Sequence, residues 1–387
     1  MSTENSSSDA IQILDLSQAS LPDTRDGLLK QLRGALFNTG FLYISNHGVP
    51  QSIINDLVNK LPTLFDLPDD IKNGLSKRNS PHFLGYSGFA EETTLGKKDL
   101  REQFDFGSDV PNIWQDNRPR GIRKLLRSRS DEVRDQKYTE LYWRLRGPNQ
   151  WPPEDVVPGF RKAYMEYHDA VQELSYRFVH LIEEAFEIPS KTFDSFWKGE
   201  MQPQHRIKLV KYPPNPSSEN TDAEMQGVGA HKDSSGWLTF LYQVGKEEGL
   251  EVLGPDGNWI AAPPIDGTFV VNFGNAFEAA TECAVKATVH RVKTRDSSSV
   301  PRFSIPFFQG LPLDMSVSEI RSYIPESVRR LRAQQVSEID RKGNVVSTFL
   351  DPRWDSLGES QLRKWIRSHE DVGRKWYGDS TVKYYLQ

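Results

Sequence analysis

A run of short apolar segments separated by turn residues fills the chain from Arg206 to Phe308. Such segments, bounded by Gly, Pro, Asn and Asp, are typical of strands in a β-sandwich or barrel. Within the run, Pro255-Asp256-Gly257-Asn258 is a strong hairpin signal. The predicted strands cover residues 206–212, 237–243, 249–253, 259–262, 268–273, 285–292 and 302–308. The chain from Arg206 to Phe308 is therefore predicted to form a β-sandwich or barrel.

Helical periodicity flanks this strand run on both sides. Apolar residues recur at alternating steps of four and three from Phe160 to Ala185, which predicts one long amphipathic helix with His168 and His180 off its apolar face. We expect this helix to pack across the outside of the sheet. Residues 26–38 and 52–65 also read as helices, the second kinked near Pro62. A helical pattern resumes at Ser316 and continues to the C-terminus, so the fold class is α+β.

Composition excludes several classes of protein. The formal net charge of -5 argues against a nucleic-acid binder, and no apolar run is long enough to cross a membrane. The polar N-terminus lacks the features of a secretory signal, and the single cysteine, Cys283, suits a reducing compartment. We therefore expect a soluble cytoplasmic protein without nucleic-acid or membrane partners. No pattern in the sequence indicates a particular oligomeric state.

A basic stretch covers residues 112–150. Runs of charge are usually solvated surface, so we interpret it as a surface insertion; the alternative is a lid that helps hold an anionic substrate.

Three residues of the strand run have the chemistry of a metal site. His231 and Asp233 lie two apart, so on an extended strand their side chains point to the same face. His290 lies on a later predicted strand. Two imidazoles and one carboxylate form the facial triad that holds non-haem Fe(II) and leaves coordination positions open. The same donors also suit Zn²⁺, which leaves a zinc hydrolase as an alternative.

A second pair, Arg302 and Ser304, follows twelve residues after His290 and also shares one strand face. A guanidinium beside a hydroxyl suits a carboxylate, and a buried Arg requires an anionic partner. Tyr212, at the end of the first core strand, could reach the same carboxylate.

These motifs, with Phe41-Leu42-Tyr43-Ile44-Ser45-Asn46-His47-Gly48-Val49-Pro50 near the N-terminus and Lys211-Tyr212-Pro213-Pro214, resemble the isopenicillin-N-synthase-like branch of the Fe(II)/2-oxoglutarate dioxygenases. The segment from Arg302 to Gln309 is most similar to fungal members, many of which act in secondary metabolism. The resemblance implies a double-stranded β-helix (jelly roll, cupin-like) core at 203–312, an N-terminal region at 10–202 and a C-terminal helical extension at 313–387. It also implies that His231, Asp233 and His290 bind iron and that Arg302, Ser304 and Tyr212 bind 2-oxoglutarate.

The activity implied by the resemblance is oxidation of a C–H bond of a small organic molecule, by hydroxylation or desaturation, with Fe(II), 2-oxoglutarate and O₂. Two further alternatives remain at this point: an iron oxidase of the same fold that does not use 2-oxoglutarate, and a non-catalytic ligand-binding protein on this scaffold. Residues that could line the substrate pocket are Tyr86, Phe104, Lys208, Trp237 and Phe308. Cys283 is interpreted as an apolar filler rather than a metal ligand.

Overall fold

The computed structural model describes residues 11–94, 96–115, 138–198, 203–214, 226–233, 236–294, 300–331, 349 and 352–387. The strands are β1 (Ile13–Asp15), β2 (Phe41–Ser45), β3 (Gly85–Ser87), β4 (Thr93–Thr94), β5 (Lys97–Lys98), β6 (Glu102–Gly107), β7 (Arg206–Tyr212), β8 (Gln226–His231), β9 (Leu238–Val244), β10 (Leu250–Leu253), β11 (Trp259–Ala261), β12 (Phe269–Phe273), β13 (His290–Lys293) and β14 (Arg302–Phe308). The helices are α1 (Pro22–Asn38), α2 (Gln51–Val58), α3 (Leu61–Phe65), α4 (Asp69–Gly74), α5 (Phe160–Ala185), α6 (Asp194–Trp197), α7 (Asn275–Ala280), α8 (Val317–Ser322), α9 (Glu326–Arg329), α10 (Leu357–Ser368), α11 (Glu370–Tyr377) and α12 (Asp379–Leu386).

Two sheets form the core. The larger has the strand order β1-β2-β12-β9-β14-β7-β6-β3, and the smaller has the order β11-β10-β13-β8. One apolar cluster draws residues from both sheets, among them Val210 and Val270 from the larger and Val252 and Val292 from the smaller. The two sheets therefore face each other, which is the double-stranded β-helix that the sequence predicted.

Side-chain alternation gives the larger sheet two distinct faces. In β7, Ile207 and Leu209 join the main helical core, whereas Lys208 points toward the smaller sheet, where it lines a cavity. In β14, Phe307 packs toward the helices and Arg302 lines the cavity. Alternate side chains of these two strands thus face the cavity, and the side chains between them pack against the helices.

Helix α5 covers the outer face of the larger sheet as predicted, and Phe178 on this helix meets Phe240 of β9 with ring centroids 5.7 Å apart. The prediction for His168 was wrong, because this side chain is buried and its Nε2 lies 2.9 Å from the hydroxyl of Ser108. The single helix predicted over 52–65 is two helices, α2 and α3. Pro62 lies in the first turn of α3, where its missing N–H costs nothing.

The region before β13 also differs from the prediction. Residues 285–289 are not strand, and only His290–Lys293 pairs within the smaller sheet. Helix α7, which was not predicted, ends in a turn where Glu282 and Cys283 have positive φ values of 51° and 66°. Cys283 is only partly buried, so it does not serve as a core filler.

The Pro255–Asn258 hairpin is confirmed, with Leu253 opposite Trp259. Residues 116–137, which make up most of the basic stretch, lie outside the described residues, as does the N-terminal tail. The interpretation of the basic stretch as an insertion or a lid therefore stays a prediction. None of the described helices combines the length and the apolar character that a membrane crossing requires.

Candidate active site

His231, Asp233 and His290 converge at one end of the space between the sheets. His231 ends β8 and stands directly opposite His290, the first residue of β13. Their ring centroids are 4.3 Å apart, and Asp233 follows two residues beyond His231. One possible ligand atom from each side chain lies within 4.8 Å of the other two. Strand pairing therefore places the two imidazoles together, and the strand end adds the carboxylate.

Backbone carbonyls orient both imidazoles. The Nδ1 of His231 lies 2.8 Å from the carbonyl oxygen of Gly229, and the Nδ1 of His290 lies 3.0 Å from that of Thr288. A carbonyl only accepts, so each Nδ1 is the donor and each Nε2 is turned away from the backbone. These Nε2 atoms lie 3.8 Å and 3.7 Å from the Oδ1 of Asp233, around a common point.

Asp233 is oriented just as tightly. Its Oδ2 accepts hydrogen bonds of 2.7 Å from the hydroxyl of Thr239 and from the amide of Asn272, which leaves Oδ1 for the common point. Burial raises the pKa of Asp233, but His290, His231 and these two hydrogen bonds outweigh it and bring the pKa to about 2. Burial and the neighbouring His290 lower the pKa of His231 to about 3.

At neutral pH this cluster therefore offers a neutral imidazole from His231 and an ionised carboxylate, and the Nε2 of His290 is oriented to the same point. Two imidazole nitrogens and one carboxylate oxygen are a donor set that suits Fe(II).

Arg302 lies in the same cavity on β14, and it is only 5% exposed. Its Nε donates to the carbonyl of Glu247 at 3.2 Å, and its Nη2 donates to the Oε1 of Gln243 at 2.8 Å. The guanidinium lies 4.9 Å from the centre of the Tyr212 ring. Its Nη1 is buried and has no hydrogen-bond partner among the described residues. Burial lowers the pKa of Arg302, and an anion at Nη1 would oppose that effect.

The cavity that joins these groups has a volume of about 240 Å³. The metal-ligand candidates, Arg302, Ser304 and Tyr212 line one part of it, together with apolar side chains. These apolar residues are Phe41, Val210, Val228, Leu241, Leu250 and Val292. Polar residues from the segment 92–101 before β6, from β7 and from α10 line the rest, and they include Arg101, Lys208 and Lys364.

Of the five predicted substrate contacts, Lys208 and Phe308 line the cavity, and the other three do not. Trp237 is fully buried on the helical side of the sheet, with its ring 4.4 Å from that of Phe277. Phe104 is fully buried against Phe65 and Tyr86. The hydroxyl of Tyr86 donates to Glu102 at 2.7 Å. These three side chains support the scaffold.

Sequence reasoning missed the contributions of α10 and of the residues that support the ligands. Lys364 and Trp365 line the cavity from α10, and the sequence of this helix showed only an amphipathic pattern. Thr239 and Asn272 hold Asp233, and each lies on a predicted strand with a polar side chain among apolar neighbours. A polar residue at a core position of a strand was the signal that could have identified them.

Two family models match the chain. Residues 11–154 match the non-haem dioxygenase in morphine synthesis N-terminal family, and residues 202–310 match the 2OG-Fe(II) oxygenase superfamily.

Several similar proteins come from fungi. The 2-oxoglutarate-dependent dioxygenase frbJ of Dothideomycetidae sp. (strain 11243) is 38% identical over 95% of this chain and 92% of its own length. A 2-oxoglutarate-dependent dioxygenase of Gibberella zeae is 30% identical over 96% of this chain and 92% of its own length. A full-length Neurospora crassa protein, solved in complex with alpha-KG and 5-formyluracil, is similar in structure with a TM-score of 0.65. It is 21% identical, and the likeness covers 94% of this chain and 98% of that chain, which shows the fold.

Proposed function

The chain belongs to the 2OG-Fe(II) oxygenase superfamily, and from this premise we propose which of its residues bind iron and 2-oxoglutarate and what kind of molecule it oxidises. The protein is a 2-oxoglutarate-dependent dioxygenase that uses Fe(II), 2-oxoglutarate and O₂. The proposal concerns the residues that hold these groups and the kind of molecule that is oxidised. The observation that supports it best is the convergence of three oriented ligand atoms in the same cavity as a buried guanidinium N–H without a partner among the described residues.

His231, Asp233 and His290 hold the iron. Their donor atoms are fixed by Gly229, Thr288, Thr239 and Asn272 before any metal arrives, so binding requires little rearrangement. When iron is bound, its reaction with 2-oxoglutarate and O₂ supplies the oxidising power that breaks a C–H bond, while 2-oxoglutarate becomes succinate and CO₂. Asp233 stays ionised because its pKa is about 2.

Arg302 holds the far carboxylate of 2-oxoglutarate. Gln243 and the carbonyl of Glu247 fix the guanidinium and leave Nη1 to donate to the anion. Ser304 lies two residues along the same strand face and supplies a hydroxyl, and Tyr212 packs its ring against the guanidinium. The apolar side chains around this part of the cavity exclude water, which strengthens the charge pairing.

The substrate is a small organic molecule, because the cavity between the sheets and α10 measures about 240 Å³. The fungal source of the similar dioxygenases supports a role in secondary metabolism. The single cysteine supports a cytoplasmic location.

Succinate release tests the proposal. The protein is loaded with Fe(II) without O₂ and then given 2-oxoglutarate, air and fractionated fungal extracts, and succinate and oxidised products are measured by mass spectrometry. We expect succinate and an oxidised product in equal amounts, and this product has gained one oxygen atom or lost two hydrogen atoms. O₂ consumption with product but without succinate would contradict the 2-oxoglutarate role of Arg302, and activity retained with zinc alone would contradict the iron role of the triad.

A further inference from the structure

We propose that Lys208 and Lys364 form a second anion site in the cavity, which binds a carboxylate of the substrate. This inference rests on the proposed function, because it assigns the part of the cavity that iron and 2-oxoglutarate leave for the substrate. It identifies the substrate class as a small carboxylic acid and makes the two lysines specificity-determining residues.

Lys208 presents its ammonium group to the cavity without a hydrogen bond. It lies on β7 directly opposite Asp105 of β6, and its Nζ is 3.7 Å from Asp105 and 3.9 Å from Glu92, both beyond hydrogen-bond length. Among the described residues it donates no hydrogen bond at all, although its side chain is only 15% exposed. These two carboxylates balance its charge, but its three N–H donors have no acceptor within hydrogen-bond length among the described residues, and a ligand that supplies one would complete its hydrogen bonding.

Lys364 approaches the same place from α10. Its Nζ lies 5.1 Å from the centre of the Trp365 ring, and the Nζ of Lys208 lies 5.7 Å from the same centre. Both ammonium groups thus lie within cation–π distance of the same indole ring. Burial and the neighbouring Lys208 lower the pKa of Lys364 to about 8. An anion bound between the two ammonium groups would relieve this repulsion.

The nearby carboxylates already have partners of their own. Glu92 accepts hydrogen bonds from Lys77 at 3.0 Å, Arg101 at 2.8 Å and Gln103 at 2.7 Å. Asp105 contacts Lys77 at 2.5 Å. Asp99 accepts from the hydroxyl of Thr94, the amide of Gln226 and the backbone N–H of Gly229.

The cations around this place outnumber the carboxylates among the described residues. The cations are Lys77, Arg101, Arg206, Lys208 and Lys364, and the carboxylates are Glu92, Asp99, Asp105 and, at the metal end, Asp233. A substrate ammonium group would have to displace an existing ion pair and would add to the excess of positive charge. A substrate carboxylate would instead accept a hydrogen bond from Lys208 and offset the excess of one positive charge, which favours an anionic ligand.

The test uses the full-length protein loaded with Zn(II) and saturated with 2-oxoglutarate, so that Arg302 is occupied and no turnover occurs. Calorimetry compares aliphatic and aromatic monocarboxylic acids, each with its own primary amide, its amine and the corresponding alkyl phosphate. We expect at least one acid to bind about tenfold or more tightly than its amide, because charge-assisted hydrogen bonds are about twice as strong as neutral ones.

Variants tie that preference to the two lysines. Lys208→Gln and Lys364→Gln are each expected to reduce acid affinity about tenfold without changing amide affinity, and the Lys→Arg variants to restore most of it. Lys211→Gln is the matched control, because Lys211 lies on the same strand but pairs with Glu102 at 3.2 Å on the other face and does not line the cavity. Circular dichroism checks that each variant folds.

The wild-type comparison of acid with amide stands even if a variant fails to fold. Equal affinity for acids and amides across the panel, or a preference for amines, would overturn the proposal, and a preference for alkyl phosphates would overturn the carboxylate assignment. Binding of 2-oxoglutarate by the wild type is measured first. Failure there contradicts the proposed function, whereas normal 2-oxoglutarate binding without acid selectivity contradicts only the second anion site.

Discussion

The two ends of the cavity are both buried and polar, but they are built differently. At the metal end, each histidine is held by the backbone carbonyl two residues before it, Asp233 is held by side chains of β9 and β12, and the two histidines face each other across one pair of strands. At the lysine end, charged side chains come from β6, β7 and α10, and the ammonium groups of both lysines lie near the ring of Trp365. Sheet register therefore places the candidate metal ligands, whereas the docking of α10 places Lys364 and Trp365.

The largest effect is expected when a metal ligand at the metal end is removed, because iron and all activity should then be lost. His231→Ala and Asp233→Ala should reduce succinate formation to the level of metal-free protein, because two remaining donors do not hold iron in an open triad. Iron content after anaerobic loading and succinate release are the measurements, and Lys211→Gln is the control. Turnover above background with full iron content would contradict the assigned ligands.

Truncation of Arg302 should affect the co-substrate rather than the metal. Arg302→Ala is expected to raise the KM for 2-oxoglutarate at least about thirtyfold, since removing one partner of a buried charge pair costs about 2 kcal/mol or more. Ser304→Ala removes one hydrogen bond, about 0.5–1.5 kcal/mol, and should raise that KM only about two- to tenfold. Unchanged iron affinity in both variants is part of the prediction. A loss of iron instead would mean that Arg302 mainly supports the fold.

Substitution of the residues that donate hydrogen bonds to Asp233 should have an intermediate effect on iron affinity. Asn272→Ala and Thr239→Val each free one lone pair of Oδ2, and we expect iron affinity to fall about 10–100-fold. Competition with a chelator measures this affinity. Thr268→Val is the matched control, because its buried hydroxyl bonds to the carbonyl of Ile265. An equal loss of iron in that control would show general destabilisation rather than misorientation of Asp233.

The smallest effect concerns pH at the lysine end. Lys364 faces Lys208, Arg206, Asp105 and Asp233, and its pKa is about 8. A bound carboxylate raises this pKa, so acid binding should weaken by up to about tenfold as pH rises from about 7 to 9, while amide binding stays constant. Calorimetry of one acid and its amide over this range is the measurement. Lys364→Arg, which stays charged, should remove the dependence, and a persistent slope would assign it to another group.

The sequence predicted that the side chains of the metal end lie close together, and the structure brings those of His231, Asp233 and His290 to one point. His231 and Asp233 lie two apart, and β14 covers Arg302–Phe308 as predicted, so alternation alone aligned Arg302 with Ser304. The long helix α5 was also readable, because its apolar positions recur over many turns. The roles of these residues in iron and 2-oxoglutarate binding remain proposals that the experiments above test.

The lysine end was not predictable for a physical reason. Lys208 and Lys364 are far apart along the chain, and their meeting depends on how α10 docks on the sheet, which no local pattern encodes. Trp237 shows the opposite error. It lies close to Asp233 in sequence, but its indole packs among the helices against Phe193 and Phe277. Proximity in sequence to a metal ligand did not imply proximity to the cavity.

The strands contributed by the N-terminal region complete the larger sheet on both flanks, with β2 pairing β12 on one side and β6 pairing β7 on the other. A fragment trimmed to the jelly-roll segment alone would expose two long unpaired strand edges, which are templates for aggregation. Chimeras that exchange the N-terminal half between relatives must therefore preserve both hydrogen-bonding edges. Exchange of the C-terminal helices breaks no strand pairing within either sheet and is the safer route to redesign.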